Sequence, residues 1–253
     1  MTEKLIYNIL LIALFFISII VFIILFFLPA PYGRFTSKNW GMRINARLAW
    51  IVMESPAVII IFACFLIGNR TKNIVAIVFL LIWMIHYIQR TFVYPFLMKT
   101  RNKTFPISII LFSILFNCLN GYLNGRYLFN FSQPYPASWF RDARFITGTL
   151  IFIAGYAINI YSDSKLRQLR KLGEVSYKIP YGGFFRYISS PNYFGEILEW
   201  IGWAVATWSL PGLAFAVFTI ANLMPRALSN HKWYLENFPD YPKDRKALIP
   251  FIY

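Results

Sequence analysis

Acidic residues are scarce in this sequence: Asp and Glu together number 10 among 253 residues, and all charged residues make up only 14%. Soluble globular domains carry about 25% charged residues, so this composition excludes an ordinary soluble domain. Cysteine is also rare, and Cys64 and Cys118 both lie in apolar runs without the spacing of a disulfide framework or a metal site. No G-x-G-x-x-G segment follows a strand-like run, which excludes a Rossmann fold as the source of nucleotide binding.

Apolar residues dominate instead, with 58% of the chain hydrophobic and 20% aromatic. Runs close to the roughly 20 residues that cross a bilayer recur along the whole length. They predict an all-α integral membrane bundle of seven transmembrane helices, at approximately 5–28, 48–67, 74–97, 105–123, 145–161, 197–209 and 212–223. The last two runs are short. Ser209–Gly212 is therefore either a turn between two helices or a kink within one, and six spans is the alternative.

The first apolar run is predicted to be a retained helix rather than a signal peptide. It is about 24 residues long, it lacks a strongly basic start, and no small-x-small cleavage site clearly follows it. The sequence shows no second domain, linker, repeat or disordered tail. Residues 1–253 are therefore predicted to form a single transmembrane domain.

The net charge is +15, and the basic residues are distributed along the chain as expected for a membrane protein. With seven spans, 18 Lys and Arg residues fall on one side of the bilayer and 6 on the other. The positive-inside rule then predicts a cytoplasmic C-terminus and an N-terminus outside, in the endoplasmic reticulum of a eukaryote or the inner membrane of a bacterium. Membrane topology accounts for most of the positive charge, and the remaining basic residues can bind an anionic ligand on the cytoplasmic face. Because the charge has this explanation, a nucleic-acid partner is not expected.

Few ionisable side chains fall inside the predicted spans, and each is a candidate functional group. A carboxylate at the centre of a spanning helix costs about 2.5–3.5 kcal/mol, which favours the protonated form of Glu54. Glu54 is either a structural carboxyl or a hydrogen-bond donor. His86 lies in the third run, where Tyr87, Arg90 and Tyr94 share one helix face. These groups together predict a polar cavity. In the alternative interpretation, Tyr87 belongs to the aromatic belt at the membrane interface and His86 is a structural residue.

A second polar cluster lies between residues 159 and 199, where a charge-bearing segment separates two apolar runs. Asn159, Asp163 and Arg170 share a helix face, and the Gly182–Gly183 pair permits tight turns. The free N–H groups at the start of the helix that follows can bind a phosphate. These features predict a large anionic ligand, with cytoplasmic loops closing over a nucleotide site. A solvated basic helix end is the alternative.

Five longer segments are together more specific than any short motif: MESP at 53–56, HYIQRTFVYP at 86–95, INIYSDSKLRQLRK at 158–171, GEVSYKIPYGGFFRYISSPNYFGEILEWIGWAVATWSLPGLAFA at 173–216 and NHKWYLENFPDYPKDRKALIPFIY at 230–253. In these segments, and over nearly its whole length, the chain resembles the steroid 5α-reductases. The resemblance implies an NADPH-dependent integral membrane reductase with seven helices. It also implies saturation of the Δ4 double bond of 3-oxo-Δ4 steroids by hydride delivery to C5.

Matched to the family, Glu54 and Tyr87 are the catalytic pair that hydrogen-bonds the steroid 3-carbonyl oxygen. Polarising that carbonyl makes C5 electrophilic, and donors already in place stabilise the developing enolate as an oxyanion hole does. A tyrosine hydroxyl suits this role because it is neutral at pH 7 and donates one hydrogen bond. The sequence does not identify the source of the proton that reaches C4.

The resemblance also implies an NADPH site. Arginines suit its phosphates, Asn and carboxyl groups its ribose hydroxyls and carboxamide, and Trp and Tyr its rings. The implied residues are Arg90, Tyr94, Arg101, Asn159, Asp163, Arg170, Tyr177, Asn192, Glu196, Trp200, Arg226 and Tyr234. No metal is implied. The sequence departs from the family in the length of the loop that holds Arg101. Position 230 is Asn, followed by His231, where family members often have a histidine at 230. Position 178 is Lys where arginine is common, and lysine cannot make the bidentate hydrogen bonds of a guanidinium.

The glycines and the P-N-Y-x-G-E turn are similar to those of sterol C14 reductases and isoprenylcysteine methyltransferases, and the latter would require S-adenosylmethionine. The Glu54–Tyr87 pair and the ALIPFIY tail favour the reductase. A reductase of enoyl-CoA or polyprenal substrates is the nearer alternative. A transporter or lipid-binding protein would not need the phosphate-suited cluster at 159–196. The expected partners are a steroid and the lipid bilayer, and the protein is expected to be a monomer.

Overall fold

The computed structural model describes residues 2–36, 40–99, 103–169 and 176–253. Helices dominate these residues: α1 Glu3–Phe27, α2 Ala46–Ile67, α3 Ile74–Ile88, α4 Tyr94–Leu97, α5 Ile107–Arg126, α6 Ala143–Gln168, α7 Pro191–Thr207 and α8 Leu210–Asn237. Strands β1 (Arg43–Asn45) and β2 (Thr104–Pro106) pair as a short antiparallel ladder. The prediction of a helical fold is confirmed, and the ladder is an addition that the sequence did not predict.

Six helical segments in the described chain are long and apolar enough to cross a membrane: Glu3–Phe27, Ala46–Ile67, Ile74–Leu97, Ile107–Phe131, Ala143–Gln168 and Leu210–Asn237. The protein is therefore an integral membrane protein. The predicted run 197–209 corresponds to α7, which begins at Pro191 and has only 17 residues. The count of seven spans stays a prediction.

The chain divides into two compact units. The first contains the residues up to Ile12 and Pro31–Ile146, and the second contains Ala13–Ala30 and Thr147–Tyr253. The single-domain assignment of residues 1–253 stays a prediction.

In the first unit, α2 and α5 lie side by side and run in the same direction, each following one strand of the ladder. A Cβ atom added at Gly121 of α5 would lie 3.2 Å from the Cβ of Ile60, and one at Gly125 would lie 2.6 Å from the Cβ of Cys64. These glycines let the two helices approach closely in their C-terminal halves. Around their N-terminal halves, the apolar core contains Ala46, Ala49, Met53, Phe105 and Ile110.

In the second unit, α6 and α7 run antiparallel and meet at their backbones. A Cβ atom at Gly155 of α6 would lie 2.5 Å from the carbonyl oxygen of Gly195, and one at Gly202 of α7 would lie 2.6 Å from that of Gly148. Larger side chains would push the helices apart at these points, because the obstructing atoms belong to the backbone. The glycines therefore set the distance between α6 and α7.

A tight reversal joins α7 to α8. Trp208 adopts a left-handed conformation with φ of 44° and ends α7, and the Ser209 hydroxyl accepts a hydrogen bond from the Gly212 N–H at the start of α8. The rings of Trp200 and Phe215 pack 4.2 Å apart across the two helices. Ser209–Gly212 is thus the start of a second helix after a turn, which settles the choice between turn and kink.

We expect Gly155→Ala to lower the stability of the protein, because the added methyl group meets backbone atoms of α7. Overpacking of this kind costs about 1–3 kcal/mol. The measurement is the midpoint of thermal unfolding of the purified protein in detergent. Ala154→Val is the matched control, since it adds carbon atoms to an exposed neighbouring position on α6. Equal midpoints for the two variants would contradict the close contact.

Candidate functional site

Glu54 lies on α2 beside a break in the hydrogen bonding of that helix. Pro56 has no N–H, so the Val52 carbonyl loses the donor that a helix normally supplies from four residues ahead. The Ser55 hydroxyl approaches the same carbonyl at 3.4 Å. A spanning helix cannot leave such a group to hydrocarbon, so side chains become part of the backbone support around Glu54.

Asn117 of α5 supplies a second part of this support. Its amide nitrogen donates to the Met53 carbonyl oxygen at 2.7 Å and contacts Oε2 of Glu54 at 3.5 Å. Asn117 is buried, with 3% of its surface exposed. One amide therefore joins the backbone of α2 to the carboxyl that the sequence singled out.

Two contacts fix the register of α2 against α3. The indole Nε1–H of Trp83 donates to the Ala57 carbonyl oxygen at 3.0 Å. Just beyond the end of α3, the guanidinium of Arg90 lies 5.0 Å from the centre of the Trp50 ring. From the first contact to the second, the residue number increases from 83 to 90 on the α3 side and decreases from 57 to 50 on the α2 side. The two helices are therefore antiparallel.

Glu54 and Tyr87 fall between these two contacts. Glu54 follows Trp50 by one turn on the same face of α2, and Tyr87 follows Trp83 by one turn on the same face of α3. The pair therefore lies at one level of the α2–α3 interface. Tyr87 is 3% exposed, and its ring lies 4.9 Å from that of Trp83 and 5.0 Å from that of His86.

Arg90 and Tyr94 lie where α3 changes its winding. Gln89–Val93 forms a π-helical turn in which the Tyr94 N–H donates to the Gln89 carbonyl, and Pro95 follows. Such turns occur often at functional sites. The Arg90 guanidinium packs over the rings of Trp50 and Tyr94, at 5.0 and 4.8 Å from their centres. Its charge is thus held inside the first unit by two aromatic faces.

In the second unit, polar residues from α6 and α7 form a compact cluster next to the glycine contact. The Asn159 amide nitrogen donates to the Asn192 carbonyl oxygen at 2.9 Å and contacts Oε2 of Glu196 at 3.5 Å. The Asn192 amide donates to Oδ1 of Asp163 at 3.2 Å. Amides and carboxylates in alternation suit a ligand that carries hydroxyl and amide groups.

The remaining candidates of the second unit lie on α7, on α8 and, for Tyr177, in the segment before α7. Trp200, one turn after Glu196, packs against Phe215. Arg226 donates to the Tyr193 hydroxyl at 3.0 Å and lies 5.0 Å from the centre of its ring. Tyr234 stacks on Tyr241 with ring centres 5.0 Å apart, and Tyr177 packs on Trp233 at 5.1 Å.

The C-terminal tail folds back on the segment that leads into α7. The Ser189 hydroxyl lies 2.7 Å from Nδ1 of His231 and 2.7 Å from the Tyr241 hydroxyl, and the Ser189 N–H donates to the Lys246 carbonyl oxygen at 2.9 Å. Burial raises the pKa of Tyr241, so its hydroxyl keeps its proton at neutral pH. Asn230, where the sequence departs from the family, contacts the Ser190 hydroxyl at 3.5 Å.

The predicted residues that the structure describes fall into two groups: Glu54, Tyr87, Arg90 and Tyr94 in the first unit, and Tyr177 with the residues of α6–α8 in the second. Arg101 and Arg170 lie outside the described residues. Sequence reasoning missed Asn117, although an amide within an apolar run is the same kind of signal that drew attention to Glu54. It also missed Trp50, whose role depends on the pairing of two helices.

Comparisons with known proteins identify the family. The family described as 3-oxo-5-alpha-steroid 4-dehydrogenase matches residues 103–253. Steroid 5-alpha-reductase DET2 of Gossypium hirsutum is 43% identical, covering 100% of this chain and 99% of that protein. The 3-oxo-5-alpha-steroid 4-dehydrogenase 1 of Bos taurus is 44% identical over 93% of each chain. The corresponding enzyme 2 of Sus scrofa is 46% identical over 89% of each chain.

These similarities extend over most or all of the chain and include both groups of candidate residues. The helical membrane fold and these matches together define an oxidoreductase that acts on CH–CH groups. The chain belongs to the 3-oxo-5-alpha-steroid 4-dehydrogenase family. The resemblance read from the sequence is therefore confirmed.

Proposed function

We propose that the protein reduces the Δ4 double bond of 3-oxo-Δ4 steroids to give 5α-reduced 3-oxo steroids, with NADPH as the reductant. The observation that carries the proposal is the common level of Glu54 and Tyr87 at the α2–α3 interface, in a chain whose relatives are named for this reaction. Two donors on facing helices, Tyr87 buried and Glu54 half-buried, suit a single carbonyl oxygen, which has two lone pairs.

The two side chains act on the carbonyl at C3. Tyr87 and protonated Glu54 each donate a hydrogen bond to its oxygen and draw electron density from the conjugated alkene, which leaves C5 electrophilic. As negative charge develops on the oxygen, both hydrogen bonds strengthen, and the apolar surroundings enlarge the effect. The interface around Trp50 and Trp83 keeps water away from the enolate.

NADPH suits the residues of the second unit. Asn159, Asp163, Asn192 and Glu196 combine donors and acceptors at 2.9–3.5 Å, as ribose hydroxyls and a carboxamide require. Arg226 supplies a guanidinium for phosphate. Bound NADPH supplies the hydride for C5. The part played by this chain is to orient the cofactor and to exclude water.

The seven-span topology is part of the proposal. α7 runs antiparallel to both α6 and α8, which are candidate spans, so a continuous path needs one return across the bilayer between them. α7 supplies that return. The charge bias then gives a cytoplasmic C-terminus and an N-terminus outside. We infer a monomer in the endoplasmic reticulum or a bacterial inner membrane, with the nucleotide site closed by cytoplasmic loops.

The proposal predicts that the purified protein consumes NADPH in step with the enone absorbance of progesterone, a 3-oxo-Δ4 steroid. The product should be the 5α isomer, identified by chromatography against both C5 epimers. An enoyl-CoA and a polyprenal serve as competing substrates. Failure to reduce any 3-oxo-Δ4 steroid, together with binding of S-adenosylmethionine, would overturn the assignment.

Tyr87→Phe should lower kcat by roughly two orders of magnitude, the loss expected when one oxyanion donor is removed. The ring still packs against Trp83 and His86, so the dissociation constant of NADPH should not change. Tyr156→Phe provides a matched control, because it removes a hydroxyl from a membrane helix at a position with no proposed role. An unchanged kcat for Tyr87→Phe would exclude its role in polarising the ketone.

Arg226→Ala should weaken NADPH binding by about tenfold or more, since hydrogen bonds to charged groups are stronger than neutral ones. Arg186→Ala is the control: Arg186 is an exposed arginine of the same unit that packs over Tyr187 and has no proposed role. Isothermal titration with NADPH and NADH measures both variants. The same NADPH affinity in Arg226→Ala and Arg186→Ala would contradict a phosphate contact.

A further inference from the structure

We propose that Asn117 determines which oxygen of the Glu54 carboxyl carries the proton, and so acts as a positioning residue for ketone reduction. This role rests on the function proposed above. It concerns a side chain of α5, whereas the pair that touches the ketone lies on α2 and α3.

The orientation of the Asn117 amide follows from its shorter contact. Its nitrogen lies 2.7 Å from the Met53 carbonyl oxygen. A carbonyl can only accept a hydrogen bond, so the nitrogen of the amide rather than its oxygen must face α2. One N–H is used by Met53, and the same nitrogen lies 3.5 Å from Oε2 of Glu54.

This orientation distinguishes the two oxygens of the carboxyl. An amide N–H can only donate, so Oε2 of Glu54 accepts from Asn117. In a neutral carboxyl, one oxygen carries the proton and the other serves as an acceptor. With Oε2 as the acceptor, the proton belongs on Oε1. Oε1 is then the atom that donates to the ketone.

The size of the effect follows from the distance. At 3.5 Å the contact between Asn117 and Glu54 is long for a hydrogen bond, so it biases the proton position rather than fixing it. A hydrogen bond of ordinary net strength corresponds to about a three- to tenfold change in a rate. A loss of about three- to fivefold in kcat is therefore expected when Asn117 can no longer donate.

A structural role alone is the competing explanation, because Asn117 also supports the backbone of α2. Asn117→Leu removes both contacts while keeping a similar volume. Asn124→Leu is the matched control on the same helix: Asn124 is buried and donates to Oδ1 of Asn120 at 2.9 Å. Both variants should lower the midpoint of thermal unfolding, and only Asn117→Leu should lower kcat with NADPH and progesterone.

A double-mutant cycle separates positioning from stability. In a Glu54→Ala background there is no carboxyl proton to place, so Asn117→Leu should not lower kcat further. NADPH affinity should be the same in all four proteins. An equal fold loss of kcat with and without Glu54 would overturn the proposal.

The carbonyl of the bound steroid gives a readout that does not need turnover. Infrared difference spectra of progesterone with and without ¹⁸O at C3, bound to the protein with NADP⁺, isolate the stretching vibration of the ketone. A weaker hydrogen bond raises its frequency. Asn117→Leu should therefore show a higher frequency than the natural sequence and the Asn124→Leu control. An unchanged frequency would overturn the positioning role.

Asn117→Asp keeps the test decisive if Asn117→Leu does not fold. Its side chain has the same size and, inside a spanning helix, is neutral for the same reason as Glu54, so it has one O–H donor in place of two N–H donors. The Met53 carbonyl at the shorter distance takes that donor, and the contact with Oε2 of Glu54 loses its hydrogen. We expect kcat to fall as in Asn117→Leu, with less loss of thermal stability. A purely structural role predicts a kcat close to that of the natural sequence, and that result would overturn the proposal.

The outcomes also separate this role from the proposed function. If Glu54→Ala leaves both kcat and the ketone frequency unchanged, the polarising role of Glu54 itself is excluded. If Glu54→Ala changes both and Asn117→Leu changes neither, the proposed function stands and only the role of Asn117 is overturned.

Discussion

A helix in hydrocarbon has to satisfy its own backbone, and Pro56 prevents α2 from doing so beside Glu54. The Ser55 hydroxyl approaches the Val52 carbonyl, which loses its donor. Two nearby carbonyls of α2 accept from other helices, Met53 from Asn117 of α5 and Ala57 from Trp83 of α3. These contacts bring α3 and α5 to the level of the carboxyl. The arrangement of the first group of candidate residues thus depends on side-chain donors that bond to the backbone of the helix that carries Glu54.

The second unit solves a different problem, which is to place polar groups of two helices within hydrogen-bonding distance. Gly155 and Gly195 bring the backbones of α6 and α7 together. At that separation a side chain as short as asparagine reaches the facing helix, and the Asn159 amide bonds directly to the backbone of α7. Wider spacing would put water or longer side chains between them, and the polar cluster would lose its defined geometry.

Much of the helical fold could be predicted from the sequence because hydropathy marks long apolar runs. The ends of the later helices could not. α6 continues to Gln168 although its apolar run stops near residue 161, and α8 continues to Asn237 rather than to about 223. Hydropathy detects contact with lipid, whereas a helix continues wherever its backbone bonds and caps allow. The β1–β2 ladder depends on pairing between distant segments and left no local signal.

The candidate sites divide in the same way. The prediction that Tyr87, Arg90 and Tyr94 share a face rests on α-helical periodicity, which a sequence reveals directly. The π-helical turn at Gln89–Val93, which lies between Tyr87 and Tyr94, was not predicted. The contacts of Arg90 with Trp50 and of Glu54 with Asn117 depend on which helices are neighbours and in which register. Those relations arise only in the folded chain, so the partners of a predicted residue were harder to find than the residue itself.

The reversal at Trp208 has a consequence for biosynthesis. α7 has 17 residues and includes two carboxylates, Glu196 and Glu199, which makes it a poor candidate for entering the bilayer alone. α8 follows after a turn so short that the two helices are covalently held in antiparallel contact. In the proposed seven-span topology, α7 and α8 are therefore expected to enter the bilayer together as a hairpin.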